Sequence, residues 1–180
     1  MSETIEEITS VMGAERIGNA PARIDWILTD SRSLCFPEET LFFALKTKRN
    51  DGHKYIHELY ERGVRNFVVS DLPENGEVYA DTNFLKVANP LRALQRLATK
   101  HREQFQIPVV GITGSNGKTI VKEWLYQLLG PERIITRSPR SYNSQIGVPL
   151  SVWLLNEHTE LGIFEAGISE MGEMEALRPI

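Results

Sequence analysis

A short apolar run followed by a glycine-rich turn constrains this chain more than any other feature of its sequence. Residues 107–112 are mostly β-branched and are bounded by proline and glycine, which favours a buried strand. Gly114 and Gly117 allow backbone angles that a side chain would forbid. The residues from about 117 to 129 have the pattern of a helix. This order of strand, glycine turn and helix is typical of a phosphate-binding loop, because the N–H groups of the turn and the positive end of the helix converge on one anion.

The side chains at the end of this turn suit a nucleoside triphosphate with Mg²⁺. Lys118 brings a full positive charge to the outer phosphates, and the Thr119 hydroxyl is placed to hold the metal. A strict Walker motif has glycine where Ile112 stands here. The alternative is a glycine turn with a solvated lysine. We predict that ATP is bound by the loop residues Thr113, Gly114, Ser115, Asn116, Gly117, Lys118 and Thr119.

Composition excludes several classes of protein. The 180 residues suffice for one large or two small domains, and the net charge of −4 argues against a general nucleic-acid binder. A single cysteine, Cys35, leaves no internal disulfide, which fits a reducing, cytoplasmic location. The sequence lacks an apolar run of the roughly 20 residues that a membrane span needs.

Strands alternate with helices, which predicts an α/β fold with a mostly parallel sheet and helices on both of its faces. We place a domain boundary near residue 88, giving a small N-terminal domain, 1–88, and the first part of a P-loop ATP-binding domain, 89–180. In the helix after the phosphate loop, the predicted core face consists of Val121, Trp124, Leu125 and Leu128.

Glu165 ends the apolar strand predicted over residues 161–166. In a parallel sheet, ligands bind beyond the carboxyl ends of the strands. Mg²⁺ takes one or two carboxylates besides phosphate oxygens, so Glu165 and Thr119 are the predicted metal ligands. The alternative is a surface glutamate at the end of a strand.

Four blocks of the sequence, in order, resemble the Mur ligases, which build the peptide of peptidoglycan. The segment 114–119 resembles their ATP loop, and 143–149 resembles an Asn-rich segment of the family's last member. Residues 165–167, with 172–174, resemble its metal-binding Glu block. The N-terminal uridine-nucleotide domain is matched by Asp30-Ser31-Arg32, by Leu41-Phe42-Phe43-Ala44 and by Asp51-Gly52-His53.

The resemblance implies an ATP-dependent ligase that joins D-Ala-D-Ala to UDP-N-acetylmuramoyl-tripeptide. ATP would phosphorylate the carboxylate at the end of the tripeptide, and the dipeptide amine would attack the acyl phosphate. Lys118, Glu165 and Asn143 are the implied catalytic residues. The residues implied for the sugar nucleotide are Ser31, Arg32, Lys48, Arg49 and Asn50. For Ser31 and Arg32 the alternative is a capped turn with a surface salt bridge.

The chain also departs from the family. Ile120 stands where a second threonine is common, and Ser141 and Ser144 replace two asparagines of the Asn-rich segment. The family's later strands, second-metal lysine and C-terminal domain have no counterpart. We therefore expect an N-terminal piece without ligase turnover. Its truncated sheet would expose an edge, which favours either dimerisation through that edge or an intertwined arrangement. The sequence of residues 34–37, Leu-Cys-Phe-Pro, resembles the form of this ligase that is fused to alanine racemase.

Two other functions stay open at this stage. One is a non-catalytic module that binds a uridine or adenine nucleotide. The other is a ligase of the folylpolyglutamate type, although the N-terminal half of those enzymes lacks the Asp-Ser-Arg domain found here.

Overall fold

The computed structural model describes residues 3–47, 50–74, 79–168 and 170–180. The chain divides into two compact units between Leu94 and Gln95, inside helix α3 (Pro90–Glu103). The functional boundary that we place near residue 88 stays a prediction. None of the described helices is long and apolar enough to cross a membrane.

The first unit contains a five-stranded sheet in the order β2-β7-β6-β5-β4. Strands β4 to β7 are parallel, and β2 is antiparallel to β7. A separate antiparallel pair joins β1 to β3. The elements are β1 (Glu3–Thr4), α1 (Ile5–Met12), β2 (Glu15–Ile17), β3 (Arg23–Ile24), β4 (Trp26–Leu28), β5 (Thr40–Phe43), α2 (Ile56–Glu61), β6 (Asn66–Val69) and β7 (Asn83–Lys86).

Helix α1 shows how the local sequence sets an element's ends. The Thr4 hydroxyl accepts the Glu7 N–H, and the Glu7 carboxylate accepts the Thr4 N–H at 3.0 Å, which is the predicted capping box. Gly13 ends the helix with φ of 63°. Ile5 and Ile8 are buried in the first unit. Both predicted ends of this helix are confirmed.

The second unit has a three-stranded parallel sheet in the order β8-β10-β9. Its apolar core includes Val148, Val152 and Phe164. The predicted alternation of strands and helices is confirmed in this unit. Its elements are β8 (Val109–Ile112), α4 (Lys118–Leu129), β9 (Ile135–Arg137), α5 (Gly147–Val152), β10 (Leu161–Glu165) and α6 (Glu173–Leu177).

Two burial predictions for this unit are wrong. Strand β8 is not buried, because among the described residues it pairs on one side only, with β10, and Val109 and Val110 are exposed. The predicted core face of α4 is also open. Trp124 is 63% exposed and Leu128 is 73% exposed, since no described element covers that side of the helix.

Candidate functional site

The phosphate loop joins the carboxyl end of β8 to the first turn of α4. Gly114 has φ of 141° and Gly117 has φ of 79°, angles that residues with a side chain rarely adopt. Gly117 is also the N-cap of α4, directly before the first helical residue, Lys118. The loop therefore has the backbone that the sequence predicts, with the unpaired N–H groups of a twelve-residue helix at its end.

Lys118 lies against the loop that precedes it. Its Nζ donates to the carbonyl oxygen of Gly114 at 2.6 Å, and the residue is half-buried. The ammonium group therefore stands over the turn at the end of the helix where an anion is favoured. The lysine ammonium has three rotatable donors, so it can exchange this carbonyl for a phosphate oxygen.

Glu165 reaches the same end of the sheet from the neighbouring strand. It is paired in register with Ile112, the last residue of β8 before the loop. Its side chain is completely buried, and its Oε2 accepts a hydrogen bond from the Thr119 hydroxyl at 3.1 Å. The two predicted metal ligands, far apart in sequence, are therefore brought together by the parallel pairing of β8 and β10.

This pair of oxygens fits Mg²⁺ held together with a nucleotide. Mg²⁺ is usually bound by one or two protein ligands, phosphate oxygens and water, rather than by an all-protein cage. In the part of the chain that the structure describes, no cluster of three or more His, Cys, Asp or Glu is found that could hold a metal ion. Thr119 and Glu165 supply a hydroxyl and a carboxylate at hydrogen-bonding distance, which matches that donor set.

Lys122 is a member of this site that the sequence analysis missed. It is completely buried, and its Nζ lies 2.9 Å from Glu165 Oε1. No described residue donates a hydrogen bond to that oxygen, so the contact is one of opposite charges rather than an aligned hydrogen bond. The signal available in the sequence was spacing, because Lys122 follows Lys118 by four residues and Thr119 by three, which places it on their side of the helix.

Asn143 lies beside the segment that follows Glu165. Its carbonyl oxygen accepts the Gly167 N–H at 2.7 Å. Its side-chain amide packs so closely that a Cβ on Gly167 would come within 3.0 Å of the Asn143 Cγ. The Asn-rich segment and the Glu block are thus in direct contact, and a side chain on Gly167 would force the Asn143 amide to shift.

The sugar-nucleotide residues belong to the first unit. Ser31 is buried in a short 3₁₀ turn, and Asp30 caps this turn by accepting the Arg32 N–H at 3.1 Å. The Arg32 side chain is 87% exposed and pairs with Asp30 at 2.6 Å. This pairing lowers the pKa of the Asp30 carboxyl and raises the pKa of Arg32. The capped turn with a surface salt bridge is therefore present, and Arg32 still has exposed donors.

Asn50 lies in the loop after β5. Its N–H donates to the Thr47 hydroxyl at 3.0 Å, and its side-chain oxygen accepts the Tyr55 hydroxyl at 3.4 Å. Asp51 caps the next turn by accepting the His53 N–H at 3.0 Å. The predicted ligands Lys48 and Arg49 lie outside the described residues.

Both parts of the chain match models of one protein family. Residues 23–102 match the model described as "Mur ligase family, catalytic domain", and residues 112–180 match "Mur ligase middle domain". Among curated proteins, the UDP-N-acetylmuramoyl-tripeptide--D-alanyl-D-alanine ligase of Bacillus subtilis is 35% identical over 158 residues, which are 86% of this chain and 33% of that protein. The Escherichia coli protein of the same name is 30% identical, over 97% of this chain and 37% of its own length.

Solved structures give the same result. MurF from Acinetobacter baumannii matches 98% of this chain and 38% of its own, with a TM-score of 0.86 and 27% identity. MurF ligase from Thermotoga maritima, solved in complex with ADP, matches 84% of this chain and 34% of its own, with a TM-score of 0.71 and 30% identity. The chain thus spans between a third and two fifths of the length of these relatives. The two family models together span most of the sequence, and the chain belongs to the Mur ligase family.

Proposed function

We propose that this chain is part of an ATP-dependent ligase that adds D-Ala-D-Ala to UDP-N-acetylmuramoyl-tripeptide in peptidoglycan synthesis. The observation that carries the proposal is the contact between the phosphate loop and Glu165, in which the Thr119 hydroxyl donates a hydrogen bond to the Glu165 carboxylate. The names of the curated relatives support the substrates, and the ADP complex of the Thermotoga maritima relative supports the nucleotide.

The first chemical step is the transfer of a phosphoryl group. A carboxylate oxygen of the tripeptide attacks the γ-phosphorus of ATP, the bond to the β-phosphate oxygen breaks, and ADP leaves. The demand on the protein is mainly electrostatic, because the transferring group carries dispersed negative charge. Lys118 and the N–H groups at the start of α4 supply positive charge at that place.

Mg²⁺, held by Thr119 and Glu165, would neutralise further charge on the β- and γ-phosphates. Asn143, which contacts the Glu block through Gly167, would orient the reacting carboxylate with its side-chain amide. In the second step the dipeptide amine attacks the acyl carbon, the C–O bond to phosphate breaks, and the amine loses a proton as the amide forms.

The first unit would hold the uridine diphosphate end of the substrate. Arg32 suits a diphosphate, because its exposed guanidinium offers a fork of donors that two oxygens can accept. Ser31 and Asn50 stand in capped turns, whose backbones are fixed by hydrogen bonds of their own. A rigid turn loses little conformational entropy when it binds.

Calorimetric titration of the 180-residue chain tests the nucleotide site. We expect Mg-ATP to bind the wild type and Lys118→Ala to weaken that binding roughly tenfold to a hundredfold, since a hydrogen bond to a charged group is worth about 1.5–3 kcal/mol. The matched control is Lys100→Ala, which removes an exposed lysine that pairs with Glu103 on α3. A wild type without affinity for ATP, or a Lys118→Ala variant with full affinity, would contradict the proposal.

A second titration, with UDP-N-acetylmuramoyl-tripeptide, tests the first unit separately. We expect Arg32→Ala to weaken this ligand while leaving Mg-ATP unaffected, and Lys118→Ala to show the opposite pattern. A chain that binds ATP but not the sugar nucleotide would favour the alternative of a non-catalytic nucleotide module. Fusion to alanine racemase, dimerisation through the sheet edge and a cytoplasmic location remain predictions.

A further inference from the structure

Lys122 is completely buried in the middle of helix α4. Lysine is almost never fully buried without partners, because removing an ammonium group from water is costly. The nucleotide site as proposed needs the charge of Lys118 but makes no direct use of Lys122. A buried charge in the turn after a phosphate loop therefore requires its own explanation.

The Lys122 ammonium donates two hydrogen bonds and forms an ion pair with a carboxylate. Nζ donates to the carbonyl oxygen of Ser138 at 2.8 Å and also to the carbonyl oxygen of Arg140. Its third neighbour is Glu165 Oε1, at 2.9 Å. The lysine thus connects the phosphate-loop helix, the loop after β9 and the end of β10.

These contacts divide the two oxygens of Glu165 between two partners. Oε1 faces the Lys122 ammonium, and Oε2 faces the Thr119 hydroxyl. The terminal torsion of a glutamate is broad, so a carboxylate with one partner can turn readily. Two partners on opposite oxygens fix its plane.

The backbone of Glu165 is held by the same loop. Its N–H donates to the Ser138 hydroxyl at 3.0 Å, and the Ser138 N–H donates to the Ile163 carbonyl at 3.1 Å. Arg140 has φ of 48°, a left-handed angle that is unfavourable for a residue with a side chain. The hydrogen bond from Lys122 to the Arg140 carbonyl supports the loop in this conformation.

We propose that Lys122 is a positioning residue, which fixes the Glu165 carboxylate so that Oε2 points to the Mg²⁺ site at Thr119. This inference rests on the proposed function, because it concerns the metal that accompanies the nucleotide. It assigns Lys122 a role through Glu165 and no contact with substrate. The carboxylate of the neighbouring Glu123 lies 3.4 Å from the ammonium and also pairs with Arg137. The positive charge of Lys122 therefore lies between the negative charges of Glu165 and Glu123.

The test compares ADP binding in excess Mg²⁺ with ADP binding in EDTA. We expect Mg²⁺ to strengthen ADP binding by the wild type, and Lys122→Met to reduce this gain at least tenfold while changing the affinity in EDTA less than threefold. A loss of general structure would weaken both affinities together. Lys100→Met, at an exposed lysine of α3, is the matched control and should keep the full gain.

Two further variants separate positioning from charge balance. In a Glu165→Gln background, adding Lys122→Met should leave the Mg²⁺ gain unchanged, because there is no carboxylate left to position. Lys122→Arg keeps a positive charge but cannot repeat the three-way contact of an ammonium, so it should also lower the Mg²⁺ gain. This second variant keeps the inference testable if Lys122→Met does not fold.

The outcomes distinguish the two proposals. A wild type that binds ADP neither with Mg²⁺ nor with EDTA overturns the proposed function, and this inference with it. A wild type with a clear Mg²⁺ gain, together with an undiminished gain in Lys122→Met or Lys122→Arg, overturns this inference alone. An equal effect of Lys122→Met with and without Glu165→Gln also overturns it.

Discussion

Alanine substitutions at two glycines near the phosphate loop can measure the free-energy cost of the left-handed backbone in that loop. A Cβ placed on Gly117 or on Gly111 would meet no atom within 4 Å, so steric clash is absent at both positions. The difference lies in the backbone. Gly117 has φ of 79°, whereas Gly111 is part of strand β8. Gly117→Ala and Gly111→Ala therefore differ mainly in backbone strain.

The magnitude follows from that difference. Replacing glycine by alanine reduces the entropy of the unfolded chain by a similar amount at both sites, about 0.4–1 kcal/mol, and this gain cancels when the two variants are compared. What remains is the cost of a left-handed backbone for an L residue, roughly 1–2 kcal/mol. With a urea dependence of about 2 kcal/mol/M, the unfolding midpoint of Gly117→Ala should lie about 0.5–1 M below that of Gly111→Ala.

Tryptophan fluorescence can measure this difference in the second unit alone. The chain has three tryptophans, and Trp26 belongs to the first unit, where it stacks on Phe36 at 5.2 Å. A Trp26→Phe background keeps an aromatic ring there and leaves Trp124 and Trp153 to report on the second unit. Equal midpoints for the two alanine variants would refute the left-handed geometry at residue 117, and with it the phosphate-loop conformation.

Two other variants test a titrating group and an exposed surface. The Arg32 side chain holds the pKa of Asp30 below its ordinary value of about 3.9, so the stability from this pair is present above that value and is lost as the pH falls through the lowered pKa. Asp30→Asn should therefore make the urea midpoint less dependent on pH below about 4; an unchanged acid dependence would contradict this. Leu128→Glu, on the open face of α4, should change the free energy of unfolding by no more than about 0.5 kcal/mol and reduce self-association in analytical ultracentrifugation. A loss of several kcal/mol would mean that Leu128 is buried.

The sequence predicts the local parts of this molecule well, because their causes are local. The capping box of Thr4 and Glu7 needs only residues three apart, and both of its hydrogen bonds are present. The predicted helix after the phosphate loop begins at Lys118 and ends at Leu129. Glu165 was placed at the end of an apolar strand, and strand ends of a parallel sheet meet at one edge.

Pairing between distant segments is less accessible to a reading of the sequence. Strand β2, Glu15–Ile17, was missed because it is three residues long and exists through its antiparallel pairing with β7. Strand β8 was predicted to be buried because its residues are apolar. Burial depends on neighbours, however, and β8 has one described neighbour, β10.

The orientation of α4 explains why Lys122 escaped the sequence analysis. A periodic apolar pattern predicts that Val121, Trp124 and Leu128 face inward, and it assigns a lysine to the solvent side. In the structure, Lys122 lies on the inward side of the helix. It follows Val121 by one residue, which corresponds to a rotation of about 100° around the helix axis. On that side Lys122 contacts Glu165 and two carbonyl oxygens of the loop after β9, and the pairing of β10 with β8 and β9 sets the position of Glu165. A buried ion pair of this kind depends on the register of a sheet, and helical periodicity carries no information about that register.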